Sequence, residues 1–174
     1  MKHDPRYPIG KLELRGRLTP AERAEAIAAI AALPNGLYDA VRGLDDAQLD
    51  TAYRAGGWTL RQVVHHIADS HINAYARHKL TISEPNATIQ AYDERRWAEF
   101  ADANAPIGAS LLLVQALHGR WAHCLASLPE RTFARTSTHT EDGVRSLDDF
   151  VAIYAWHGRH HVAHITSARR RLGW

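Results

Sequence analysis

The chemistry of this chain is concentrated in its histidines. There are twelve, and four of them, His157, His160, His161 and His164, lie close together near the C-terminus. On a helix, residues four apart share a face, so either His157 with His161 or His160 with His164 could offer two imidazoles to one metal ion. Spacing alone does not choose between these pairs. Two ligands are too few for a tight zinc site, which takes three or four protein ligands, so another must come from elsewhere in the fold. An earlier segment supplies His65, His66, His71 and His78. Of these, His66 shares a helix face with Gln62, Asp69, Ser70 and Asn73, where an ordinary core face would be apolar. Asp69 or Asn73 could orient a ligand imidazole or a bound substrate. Three imidazoles from two helices would leave one coordination position open for water, the mark of catalytic rather than structural zinc. There is no HExxH arrangement, so the general base of the zinc proteases is missing. His3, His78, His118, His123 and His139 read as surface or hydrogen-bonded core residues, His3 lying outside the residues described below. The C-terminal run also has a plain reading, as a polar stripe or a pH-responsive interface.

The elements that must position these rings are helices whose starts can be read from their caps. Thr19-Pro20-Ala21-Glu22 places a capping threonine, a proline in the first turn and a glutamate at the third position, and this helix should stop near Leu33-Pro34. Shorter helical turns should fill Gly36 to Val41 and Tyr92 to Phe100. Thr59-Leu60-Arg61-Gln62 repeats the capping box after Gly56-Gly57, opening a helix that should run to about Ser83, since Glu84 precedes Pro85. A third helix is expected from about Ile107 to Leu128, between two prolines, and a fourth from the Ser146 cap to the end of the chain. Between Arg131 and Arg145, Thr138 to Val144 reads as two extended pieces around an Asp-Gly turn. The expected architecture is an all-α four-helix bundle with a short irregular or β-hairpin insertion before the last helix. Trp58, Trp97, Trp121 and Trp156 are expected to be core or pocket walls.

Composition bounds the function. The 174 residues, 45% hydrophobic and 23% charged, fit one domain spanning 1–174. The 21 Lys and Arg nearly balance 19 Asp and Glu, and the one dense cationic run, Arg169 to Arg171, sits where a helix C-terminus would attract it. A nucleic-acid partner is therefore not expected. Cys124 is the only cysteine, which rules out an internal disulfide or a thiolate metal cage, and it reads as a small buried hydrophobe. With no secretion signal or membrane-length apolar run, a cytoplasmic protein without membrane contact is expected.

Two blocks are more specific. Gly56-Gly57-Trp58-Thr59-Leu60-Arg61-Gln62-Val63-Val64-His65-His66-Ile67-Ala68-Asp69-Ser70-His71 is the first, and Tyr154-Ala155-Trp156-His157-Gly158-Arg159-His160-His161-Val162-Ala163-His164-Ile165 is the second. With Tyr7-Pro8-Ile9-Gly10, Leu49-Asp50-Thr51, Tyr53-Arg54 and Pro85 to Ile89, they closely resemble the YfiT branch of the DinB-like superfamily. The resemblance implies a four-helix bundle, one zinc or nickel ion per chain held by His66, His160 and His164, and a homodimer. It also implies metal-dependent hydrolysis of a small-molecule substrate, in which the metal lowers the pKa of water to about 7 and Asp69 or His161 moves protons. The wider superfamily includes enzymes that use low-molecular-weight thiols such as bacillithiol or mycothiol, so metal-dependent thiol S-transfer is a second expectation. For either reaction, Asn73, Arg77 and Arg159 are the expected substrate contacts. The third expectation is a non-catalytic, stress-related metal-binding bundle.

Overall fold

The computed structural model describes residues 4–14 and 16–174. Four long helices form the bundle: α1 (Pro20–Val41), α3 (Leu60–Ser83), α5 (Gly108–Ala126) and α6 (Leu147–Leu172). Two single-turn helices, α2 (Asp46–Leu49) and α4 (Glu94–Trp97), lie in the connections. Helices α1 and α3 each pack against both α5 and α6. Three long helices open as their caps require. The hydroxyls of Thr19, Thr59 and Ser146 accept from the backbone of Glu22, Gln62 and Asp149, whose side chains reach back to the cap. Among the described residues, no helix is long and apolar enough to cross a membrane.

One boundary differs from expectation. Helix α1 does not stop at Pro34 but continues to Val41. Proline has no N–H, so the carbonyl four residues back, that of Ile30, loses its helical partner. Here His118 of α5 replaces it: its Nδ1 donates to the Ile30 oxygen at 2.6 Å. The helix therefore passes through the proline without burying an unpaired carbonyl.

The insertion is a three-stranded sheet in the order β1 (Thr88–Ile89), β2 (Thr136–His139), β3 (Gly143–Ser146). Strands β2 and β3 form the expected hairpin, with Gly143 at φ 74° in its turn, where a Cβ would be strained. The parallel pairing of β1 with β2 was not readable from the sequence, because a two-residue strand carries no periodicity.

Two apolar clusters fill the bundle. One holds Leu33, Leu37, Leu60, Val63, Ile67, Val114 and Ile165; the other holds Ile30, Ala74, Trp121, Leu125, Phe150, Val151 and Tyr154. Along α3, α5 and α6 the sequence between these clusters contains His71, His118, His157 and His161, so a polar layer crosses the middle of the core. Some of the other buried polar groups are tied to neighbouring elements. His65 is fixed by Ser110 Oγ at 2.8 Å and the Ala105 carbonyl at 2.9 Å, which joins α3 to α5. The cationic run grips neighbouring backbone: Arg169 donates to the carbonyls of Ala40 and Arg42, and Arg171 to that of Tyr53. Cys124 is only half-buried, on the outer side of α5.

Candidate metal centre

His66 on α3 and the middle turns of α6 meet at the floor of a cavity of about 350 Å³. Three side chains bring one ligand nitrogen each to within 4.8 Å of one another: His66, His157 and His161. His66 Nε2 lies 3.3 Å from His157 Nε2. Two nitrogens bound at about 2.1 Å to one tetrahedral centre are roughly 3.4 Å apart, so this spacing suits a shared ion. Among the described residues, no further carboxylate, thiol or imidazole joins the trio.

The two α6 histidines that the fold gathers with His66 are thus His157 and His161, whereas the resemblance implied His160 and His164 as ligands. His160 and His164 lie a quarter-turn or so around the helix; His160 also lines the cavity, and its Nδ1 is buried without a hydrogen-bond partner among the described residues. The His160 ring stacks on Trp156 with centroids 4.2 Å apart. His164 stacks on Tyr53 at 4.2 Å, and its Nε2 donates to the Arg6 carbonyl at 3.2 Å. Its Nδ1 faces His161 Nδ1 at 3.4 Å, which puts His164 behind a member of the trio rather than in it. The core stripe of α6 explains the choice. Phe150, Tyr154 and Ile165 are buried, and His157 and His161 continue that line at spacings of three and four.

Burial keeps the trio neutral, the state that offers lone pairs to a cation. The pKa of His66 is pushed down to about 4 by burial and, secondarily, by His164. His157 and His161 are held well below the ordinary histidine value by burial and by neighbouring imidazoles. The donor set of three neutral imidazoles with space above them fits a divalent ion of borderline softness.

The other expected site residues separate into two groups. Arg77 lines the cavity: it donates to the Tyr154 hydroxyl at 2.8 Å and to the Gln90 carbonyl at 3.3 Å, and its guanidinium lies 5.8 Å from the Tyr92 ring centre. Asp69, Asn73 and Arg159 do not line it. Asp69 sits in a closed hollow with His65, Trp97 and Ala103, where burial and then Asp102 raise its pKa. Asn73 donates to the Asp69 carbonyl at 2.9 Å, within its own helix. Arg159 is exposed on a different groove, with Lys11, Glu25 and Trp156. His161, expected to move protons, stands in the trio itself.

Ser70, part of the polar face read beside His66, lines the cavity, and three further wall residues were not singled out as site residues from sequence: Tyr92, His139 and Tyr154. The Ser70 hydroxyl is 3.5 Å from His157 Nε2. Burial raises the pKa of both phenols, that of Tyr92 to about 12, so they remain protonated donors. Trp58, expected as a packing residue or wall, lies over His66 with centroids 4.7 Å apart. Tyr154 could have been suspected from its place one turn before His157; Tyr92 comes from a loop and His139 from β2, with no pattern to betray them.

A helical bundle with three histidines converging beside a cavity is the class of fold and candidate centre this chain presents, and comparison with known proteins gives its family. Residues 29–165 match the DinB superfamily, and the chain belongs to that family. A protein of Bacillus mycoides named "Putative metal-dependent hydrolase" is 48% identical over 171 residues, covering 98% of this chain and 99% of the relative. A Bacillus thuringiensis protein of the same name is 48% identical over 172 residues, covering 99% of each. The fold matches that of YfiT from Bacillus subtilis, described as "a probable metal-dependent hydrolase with an unusual four-helix bundle topology", at TM-score 0.95 and 42% identity over 98% of both chains.

Proposed function

We propose that this protein is a metal-dependent hydrolase of a small, polar substrate, with His66, His157 and His161 holding one zinc or nickel ion. The observation that carries this reading is the convergence of three neutral imidazoles, without a fourth protein ligand among the described residues, at the floor of an open cavity. A closed four-ligand set would suit a structural staple; three ligands and open space suit catalysis. A divalent ion held there supplies Lewis-acid polarisation and lowers the pKa of water toward neutrality.

The protein's own groups would then do the rest. Trp58 walls the trio on one side and limits water access to the rings. Tyr92 and Tyr154 present protonated hydroxyls that can donate to oxygen atoms where negative charge develops. Among the described residues Arg77 makes no salt bridge, and it retains N–H groups beyond those given to Tyr154 and Gln90, so a substrate carboxylate or phosphate is the matching group. Glu141 and Asp142, on the hairpin at the rim, disfavour a second anionic group there.

The test is metal content of the purified protein beside single variants. His157→Ala and His161→Ala should lose zinc, whereas His160→Ala should retain it; loss in His160→Ala with retention in His157→Ala would reverse the ligand assignment. Metal-dependent turnover of ester, amide or lactam substrates then tests the reaction. A second reading, thiol S-transfer, is favoured by one feature: the group nearest His157 Nε2 outside the trio is the Ser70 hydroxyl rather than a carboxylate base. A thiol entering as thiolate needs no such base. Faster conjugation of a chloro-nitroaromatic to a small thiol in the presence of the zinc-loaded protein would favour that reading over hydrolysis.

A further inference from the structure

Behind the trio, a line of buried imidazoles runs across the core to a backbone carbonyl. His157 Nδ1 is 3.0 Å from His71 Nε2, His71 Nδ1 is 2.8 Å from His118 Nε2, and His118 Nδ1 is 2.6 Å from the Ile30 oxygen. His71 and His118 are completely buried, and no carboxylate takes part in any of these bonds. We infer that His118 and His71 are positioning residues, which lock His157 into the tautomer with hydrogen on Nδ1 and turn its Nε2 lone pair toward His66 and His161.

The polarity follows from one end of the line. A carbonyl oxygen only accepts, so His118 Nδ1 must carry hydrogen. A neutral imidazole has one N–H and one lone pair, so His118 Nε2 must accept. His71 Nδ1 is then a donor and His71 Nε2 an acceptor, which obliges His157 Nδ1 to donate. The only nitrogen of His157 left without hydrogen is Nε2, the atom 3.3 Å from His66 Nε2. Both inner rings are completely buried and their hydrogen bonds include no carboxylate that would stabilise an extra proton, so each has one N–H and one lone pair to place.

The anchor is available because of Pro34. Any other residue there would give the Ile30 carbonyl an N–H from its own helix; proline leaves it open to His118. The second α6 ring is held in the same manner over a shorter path. His164 Nε2 donates to the Arg6 carbonyl, so His164 Nδ1 accepts from His161 Nδ1 and leaves His161 Nε2 free. Both α6 imidazoles are thus fixed by hydrogen-bond lines that end on carbonyls outside α6, an arrangement that raises ligand basicity and fixes ring orientation.

This inference rests on the proposed metal reading, and the experiment separates the two. Nitrogen-15 NMR of metal-free wild-type protein, with histidines assigned, should show hydrogen on Nδ1 and none on Nε2 for His118, His71 and His157. Hydrogen on Nε2 of His71 or His157 overturns the inference. Zinc titration of wild type against a chromophoric chelator should show one site; if none is found, the metal reading fails, whatever the tautomers. His118→Phe keeps the ring and removes both nitrogens, and should weaken zinc binding about tenfold to a hundredfold while His157 becomes a mixture of tautomers. Unchanged affinity and an unchanged His157 signal in a folded His118→Phe protein overturn the inference and leave the metal reading standing. Should that variant not fold, the wild-type tautomers decide alone.

Discussion

Two buried polar networks tie α6 to the rest of the bundle, and they end differently. At its N-terminal end, fully buried Asp148 accepts from Arg23 Nε at 2.6 Å, Arg23 Nη2 at 2.9 Å and the Leu18 amide at 3.2 Å. Arg23 Nη2 also donates to the Leu18 carbonyl at 3.0 Å, so donors and acceptors there are matched against one another. Farther along the helix, the histidine network starts from the carbonyls of Ile30 and Arg6 and finishes at nitrogens that face each other, the cavity and, at 3.5 Å from His157 Nε2, the Ser70 hydroxyl. A network that serves architecture closes on itself. One that serves binding leaves acceptors for something absent from the sequence.

The comparison can be broken most forcefully at the closed network. Arg23→Ala should cost about 3–5 kcal/mol of stability in urea unfolding, because it strands the Asp148 carboxylate in the core. Zinc stoichiometry of the folded fraction should remain one; a parallel loss of zinc would show that the two networks are not independent. At the open network, His157→Ala should lower zinc affinity by more than about a hundredfold, beyond the usual cost of removing an outer partner, with a smaller effect on metal-free stability than Arg23→Ala. Isothermal or chelator-competition titration measures the first and urea unfolding the second.

Gly158 sharpens the contrast, because it sets how closely α6 approaches α1 beside His157. A Cβ at this position would meet Leu33 Cδ2 at 2.9 Å. Gly158→Ala should therefore destabilise the protein by about 1–3 kcal/mol, read as a lower thermal midpoint, and weaken zinc binding by tilting His157.

The smallest effect concerns acid. Burial pushes the pKa values of His66, His78 and His160 down to about 4, whereas the unfolded chain takes up protons near 6.5. Stability of the metal-free protein should therefore be complete above pH 6.5 and decline as pH falls toward about 4, where the folded rings also charge. At about pH 5.5 the loss is on the order of 1 kcal/mol per ring. His78→Phe, away from the trio, should remove part of this slope; an unchanged slope would place the acid sensitivity elsewhere.

What the sequence made legible was whatever depended on neighbours along the chain. Capping boxes at Thr19, Thr59 and Ser146, prolines bounding α5 and the Asp-Gly hairpin all report local bonding, and the helices and β2–β3 turn formed accordingly. Choosing between His157/His161 and His160/His164 depends instead on the rotation of α6 about its axis, which is set by Leu33, Tyr154 and the rest of the core. A signal for it was present: Phe150, Tyr154 and Ile165 draw a buried stripe that passes through His157 and His161. The end of α1 was misjudged for a related reason, since the partner that makes Pro34 tolerable lies 88 residues from Ile30. His118 looked like an ordinary core histidine because nothing near it in sequence shows which carbonyl it would find.

The small sheet has its own consequence. Its hairpin brings His139, Glu141 and Asp142 to the mouth of the cavity, while β1 leads directly to Gln90, which receives Arg77. None of these strand and turn residues belongs to the two apolar clusters that hold the helices together, apart from Ile89. Substitutions in the hairpin can therefore retune which molecules are admitted without disturbing the imidazole bed below. On the proposed hydrolase reading, differences in substrate among proteins of this shape should be sought in that short insertion before they are sought in the helices.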